Sequence, residues 1–169
     1  PILSKAPIKE AIIDIQVSFE KEIDLELLQS IHAEIQDSFP NIEPKYNWTT
    51  GFKFQKQGPV LSEHSGRQVG FILKSVDGTR IVQFTNEGFT FNKLPPYETW
   101  EDFSKQAESL WNIYREKVTP IKIERLGLRY INRIEIPLPI KELKDYVLTC
   151  PDIAPDLPNA LSNLLMRLE

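Results

Sequence analysis

From Ala11 to Phe19 the chain alternates strictly. Ala11, Ile13, Ile15, Val17 and Phe19 fall on one face, and Asp14, Gln16 and Ser18 on the other. A period of two predicts a half-buried strand. Asp24 then supplies an N-cap carboxylate. Leu28, Ile31, Ile35 and Phe39 recur at three- and four-residue steps, with Leu27 beside them. That spacing predicts an amphipathic helix stopped by Pro40. Residues 46–55 read as a second strand with Trp48, Phe52 and Phe54 on one face. Residues 57–66 read as a polar loop, and 67–76 as a third strand. Asp77-Gly78 is a strong hairpin signal, because a type I′ turn needs positive φ at both central positions. Residues 79–85 and 89–92 follow as strands four and five, separated by the turn Asn86-Glu87-Gly88.

The clearest periodicity comes next. Thr99 is placed to cap a helix, with Asp102 in the capping-box position. Trp100, Phe103, Ala107, Leu110, Trp111, Tyr114 and Val118 then form one apolar stripe over about five turns. Pro120 ends it. Residues 121–136 read as a long strand bent at Gly127, residues 139–148 as a short helix, and the chain from about Asn159 as helical again. The predicted order is β-α-β4-α followed by a further β-α. Short turns between the strands imply a mainly antiparallel sheet with the two long helices on one face, an α+β fold. Residues 1–120 form the β-α-β4-α unit. Residues 121–169 add a long strand and a C-terminal helical segment to the same compact domain. Residues 121–148 repeat the strand-then-helix plan of residues 11–37, which raises an incomplete tandem repeat as a second description.

A chain of 169 residues with 41% hydrophobic and 26% charged residues is sized and composed for one globular domain. Such a chain buries roughly 70% of its unfolded surface, so its core needs no disulfide or metal. Cys150 is the one cysteine, which leaves no internal disulfide to form. No signal-peptide pattern opens the chain, and the apolar run Val69–Leu73 is far shorter than the ~20 residues that span a bilayer. These features predict a soluble cytoplasmic protein with no membrane partner. Pro1 fits removal of an initiator methionine. The terminal Leu168-Glu169 resembles the junction before a purification tag, so the natural chain is expected to continue past Met166 or Arg167.

The net charge of −4 argues against general affinity for nucleic acid or anionic membranes. The charge is uneven, however. Between Glu10 and Asp37 eight acids face one base, Lys21, whereas between Arg115 and Arg133 six bases face Glu116 and Glu124. The plain expectation is that the two segments are neighbours and neutralise each other.

In a strand, Arg125, Arg129 and Arg133 share one face, with Gly127 and Ile131 between them. Guanidinium groups in a row suit phosphate or carboxylate recognition, since each presents a planar fork of donors. Gly127 would let a ligand approach the backbone. The competing expectation is that each arginine pairs with an acid on a neighbouring strand. Tyr97 and Trp100 stand at a Pro-Pro corner before a helix start, where anions bind. Aromatics at such corners also serve as core plugs. His32 and His64 lie in unrelated segments with no ligand at metal spacing, so no metal or other cofactor is expected. Cys150 has no basic neighbour in sequence and reads as an inert thiol. No nucleophile elbow, zinc-protease, phosphate-loop, dinucleotide or paired-cysteine motif occurs.

Three tracts together resemble a known family: Ala6-Pro7-Ile8 with Glu10-Ala11, then Leu94-Pro95-Pro96-Tyr97-Glu98-Thr99-Trp100, and above all Arg125-Leu126-Gly127-Leu128-Arg129-Tyr130-Ile131-Asn132-Arg133. They are similar to the uncharacterised bacterial family known as "sporadically distributed protein", over nearly the whole chain. The resemblance implies a bacterial cytoplasmic origin and a longer natural chain. It brings no activity, cofactor or site residue.

The sequence therefore favours a non-catalytic binding or regulatory module over an enzyme. Its site would be Arg125, Arg129 and Arg133, with Tyr97 and Trp100 as further ligand- or partner-binding candidates. The partner would be a small anionic ligand or an acidic protein segment, and a homo-oligomer is left open. An enzyme completed by a C-terminal region is the alternative. A nucleic-acid reader using the basic stretch 115–133 is disfavoured by the overall charge.

Overall fold

The computed structural model describes residues 6–53, 61–137, 143–146 and 149. Two compact units divide the chain, residues 1–133 and 134–169. In the first, strand β1 (Ile8–Ser18) is followed by helix α1 (Leu25–Ile35). Strands β2 (Asn41–Lys53), β3 (Leu61–Lys74), β4 (Arg80–Thr85) and β5 (Gly88–Lys93) come next. Helix α2 (Trp100–Val118) and strand β6 (Lys122–Asn132) complete it. In the second unit the described residues include a short 3-10 turn at Leu143–Asp145. The helices expected at 139–148 and from Asn159 lie largely outside the described residues. No described helix is long and apolar enough to cross a membrane.

The fold is α+β. Six strands form one antiparallel sheet in the order β2-β3-β4-β5-β1-β6. The expected alternation decides which face is covered. Ala11, Ile13, Ile15 and Val17 of β1 are buried, aligned with Phe89 and Phe91 of β5, Val82 and Phe84 of β4, and Phe71 and Leu73 of β3. Against this face lie Leu28, Ile31 and Ile35 of α1 and Phe103, Ala107, Leu110, Trp111, Tyr114 and Val118 of α2, all buried. Both helices thus cover one face. Each begins with its expected cap, since the Asp24 carboxylate accepts from the Glu26 N–H and the Thr99 hydroxyl from the Asp102 N–H. Phe84 and Tyr114 stack at 5.7 Å, and the buried Tyr114 hydroxyl donates to the Thr85 carbonyl at 2.8 Å.

Three sequence expectations need correction. Residues 61–66 belong to β3 rather than to a polar loop. They pair with β2 in a two-stranded extension, Lys53 opposite Leu61 through Trp48 opposite Gly66, where main-chain hydrogen bonds order residues with no apolar alternation. Strand β2 begins at Asn41 rather than Tyr46. Pro44 hid its start, but an edge strand tolerates proline because its missing N–H need not serve a neighbour. Strand β6 ends at Asn132 rather than Ile136, and its irregularity lies near Glu124, not at Gly127.

Candidate functional site

The second face of the sheet carries polar side chains and, among the described residues, no helix. Register fixes its members. Asp14 of β1 stands between Thr90 of β5 and Gly127 of β6, while Ile12 stands between Asn92 and Arg129. Gln83 of β4 is opposite Thr90, and Lys45 of β2 is opposite Gly70. A cavity of about 430 Å³ opens on this face, lined by Lys45, Gln83, Thr90, Asn92, Arg125 and Arg129 with Ile12, Asp14, Gly127 and Leu128. Strands β2 and β6 are the two edges of the sheet, so the sheet must curl for Lys45 and the arginines to line one basin.

Two ladders of side-chain hydrogen bonds cross this face. In one, Asp14 accepts from the Thr90 hydroxyl at 2.9 Å and from Arg125 Nη2 at 2.5 Å. In the other, Gln83 Nε2 donates to Asn92 Oδ1 at 3.2 Å, and Asn92 Nδ2 donates to Glu10 Oε1 at 2.7 Å. Asn92 is buried, so a partner for its amide matters. Among the described residues neither Arg129 nor Lys45 has an ion-pair or hydrogen-bond partner. The cavity wall thus holds three cations against one carboxylate, and the carboxylate is already engaged. A guanidinium and an ammonium facing one polar basin attract a carboxylate or phosphate.

The expected neutralisation between the acidic and basic segments is partial. Arg125 pairs with Asp14 and Lys117 with Glu34 at 2.6 Å, while Glu22 pairs instead with Arg67. Lys122 pairs with Glu124 on its own strand. That contact, followed by the Ser18 hydroxyl, holds the Glu124 carboxyl below its ordinary range.

Of the residues singled out in the sequence, Arg125 and Arg129 line the cavity together. Arg133 follows the end of β6, where its N–H donates to the Pro7 carbonyl, and it is not part of the cavity wall. Tyr97 and Trp100 belong to the helix-covered side. The Tyr97 hydroxyl meets that of Tyr130 at 2.9 Å, and both Tyr97 and Trp100 pack edge-on against Phe103. Burial, then the Tyr130 bond, raises the Tyr97 pKa above the ordinary phenol range. The structure therefore does not bring Tyr97 and Trp100 to the arginines. His32 Nε2 lies 2.9 Å from the Phe39 carbonyl at the end of α1. The side chains of His64 and Cys150 lie outside the described residues. Among the described residues no group of three His, Cys, Asp or Glu could hold a metal ion.

Sequence reasoning missed Lys45, Asp14, Gln83, Thr90 and Asn92 as wall residues. Their signal was the polar half of the alternation on β1, β4 and β5, which names a face but not a basin. Comparison with protein-family models, with curated proteins and with solved structures gives no match.

Proposed function

We propose that the protein is a non-catalytic binding or regulatory module whose curled sheet face receives an anionic ligand, a carboxylate or phosphate group, between Arg129, Lys45 and Arg125. The observation that carries this reading is a pair of cations, Arg129 and Lys45, that have no partner among the described residues and face one polar cavity whose one described carboxylate, Asp14, is already engaged by Arg125 and Thr90. Binding follows from charge and geometry. The guanidinium fork of Arg129 can grip two oxygens, and Thr90, Gln83 and Asn92 offer neutral polar contacts around it. A bacterial, cytoplasmic setting fits the family resemblance and the single cysteine.

Calorimetric titration with inorganic phosphate, pyrophosphate and citrate tests the proposal. Binding is expected to weaken as salt rises, because exposed charges are screened within about 10 Å at 0.1 M. Arg129→Ala should lose roughly tenfold or more in affinity, the range for a hydrogen bond to a charged group. Arg129→Lys should rescue only part, since the fork is gone. No binding of any of the three anions to the wild type would overturn the reading.

A further inference from the structure

Among the described residues strand β6 leaves two surfaces unfilled. Its inner edge pairs with β1, and among the described residues no strand pairs with its outer edge. Edge strands are commonly short, interrupted by proline or bent away. This one runs for 11 residues without a proline, with one irregularity near Glu124. On the helix-covered side it presents Ile123, Leu126 and Leu128, which are 51%, 70% and 52% exposed. They align with the buried Val17, Ile15 and Ile13 of β1, so they continue the core row outward past the cover of the helices. Beside them a groove of about 180 Å³ lies between β1 and α2, lined by Ile13, Ile15, Ser104, Ala107, Glu108 and Trp111. A row of large apolar side chains of this kind marks an interaction surface more often than it stands alone in water.

We infer that β6 is a docking edge for an extended segment of a partner protein in which acidic and apolar residues alternate. The segment adds as a seventh strand, its main chain bonding to the outer edge of β6. Its apolar side chains cover Ile123, Leu126 and Leu128, and its acids face Arg125 and Arg129 on the opposite face. Strand addition derives affinity from the main-chain bonds and selectivity from alternate side chains, and here the two faces of β6 specify opposite chemistries.

Charge selects this occupant over a second copy of the chain. Two β6 strands paired about a two-fold axis at Gly127 set Arg125 of each directly opposite Arg129 of the other. Centring the axis on Leu126 or Leu128 leaves arginines diagonal to each other at roughly 7–8 Å. Each of these registers gathers like charges on one face, whereas an acidic strand neutralises them. The inference rests on the proposed anion site only for the acidic half of the pattern; the edge, with Ile123 and Leu126 of the apolar row, is separate from it.

A synthetic peptide of about eight residues alternating glutamate and valine is the probe, followed by fluorescence anisotropy and by hydrogen exchange of β6. The peptide should bind and protect β6 amides. A version N-methylated at alternate residues, or with lysine in place of glutamate, should not bind. Ile123→Ser with Leu126→Ser, neither of which lines the anion cavity, should weaken binding roughly tenfold or more while phosphate titration is unchanged. Arg129→Ala should weaken both peptide and phosphate. Peptide binding that ignores the Ile123 and Leu126 substitutions, or leaves β6 amides unprotected, overturns the docking edge and leaves the anion site standing. Concentration-dependent self-association that protects β6 overturns it in favour of a second copy. Peptide binding with no phosphate binding leaves the edge standing and removes the anion site.

Discussion

Asp14 holds two neighbouring strands to β1 through one carboxylate: Oδ1 accepts the Thr90 hydroxyl of β5 at 2.9 Å, and Oδ2 accepts Arg125 Nη2 of β6 at 2.5 Å. Among the described residues the same carboxylate is the only acid in the cavity wall. Asp14→Asn therefore has two expected effects of opposite benefit. Stability should fall by about 0.5–1 kcal/mol, the range for a partly exposed ion pair, because the Arg125 side chain is 56% exposed. Affinity for phosphate should rise, since Arg125 is released and the wall loses its negative charge. Urea melts and phosphate titration of the same variant check both; weaker phosphate binding would show that Asp14 positions Arg125 for the ligand instead.

Gly127 faces the cavity, yet nothing in the fold requires it to be glycine. A Cβ there would sit 3.7 Å from the Asp14 carbonyl oxygen, an ordinary contact. Gly127→Val should leave stability unchanged or raise it by up to about 1 kcal/mol, since glycine weakens a strand interior. The added side chain fills the basin, so anion binding should fall. Loss of stability without loss of binding would contradict this placement.

The two helical tryptophans separate cleanly. Trp111 is buried against Phe89 and Tyr114, whereas Trp100 is 45% exposed at the start of α2. Trp111→Ala should cost about 3–5 kcal/mol, as large buried aromatics do. Trp100→Ala should cost well under half as much, roughly 1 kcal/mol. Chemical denaturation of both variants ranks them; equal costs would place Trp100 in the core.

Much of the fold was legible because packing and local rules agree. The alternation of β1 and the stripe of α2 each bury or expose what their period demands; the hairpin also falls where Asp77-Gly78 marks it, but not as the expected type I′ turn, since only Gly78 of the two has positive φ (68°) and its N–H closes the turn on the Ser75 carbonyl. The start of β2 was not legible, because Pro44 breaks the strand pattern and only an edge position makes it acceptable. Residues 61–66 were not legible because their order comes from pairing with β2. For the site, the period of two places Arg125 and Arg129 on one face from sequence alone. Lys45 comes from the far edge through the curl of the sheet, which no local pattern encodes. Arg133 lies one residue past the end of β6 at Asn132, where the period of two no longer assigns it a face.

Thr119 is the one described non-glycine residue with positive φ, at 44°, and it terminates α2 with its N–H bonded to the Arg115 carbonyl at 2.9 Å. A left-handed conformation costs a residue with a Cβ roughly 1–2 kcal/mol, and glycine avoids that cost. Glycine gives back part of the gain through its freer unfolded chain. Thr119→Gly should therefore stabilise by about 0.5–1 kcal/mol in urea melts. A destabilised variant would mean that the threonine side chain makes a contact worth more than its backbone strain.

Asp77 titrates far from the cavity and should govern part of the acid limb of stability. Its carboxylate accepts the Ser75 hydroxyl at 2.5 Å, the Thr79 N–H at 3.1 Å and the Thr79 hydroxyl at 2.9 Å, closing the turn between β3 and β4. The Ser75 bond first, then the two Thr79 bonds, hold its pKa well below the ordinary carboxylate value of 3.8. The folded state thus binds this proton less readily than the unfolded chain. The stabilising contribution is present above the unfolded pKa and is lost as pH falls through that value toward the lower folded one. Asp77→Asn should be less stable than the wild type at pH 7, and the difference should shrink as the pH drops below about 4. Melts of both proteins between pH 2 and pH 7 check this. A difference that stays constant across the range would mean that the turn is held by geometry that the amide reproduces, and that the charge of Asp77 contributes nothing.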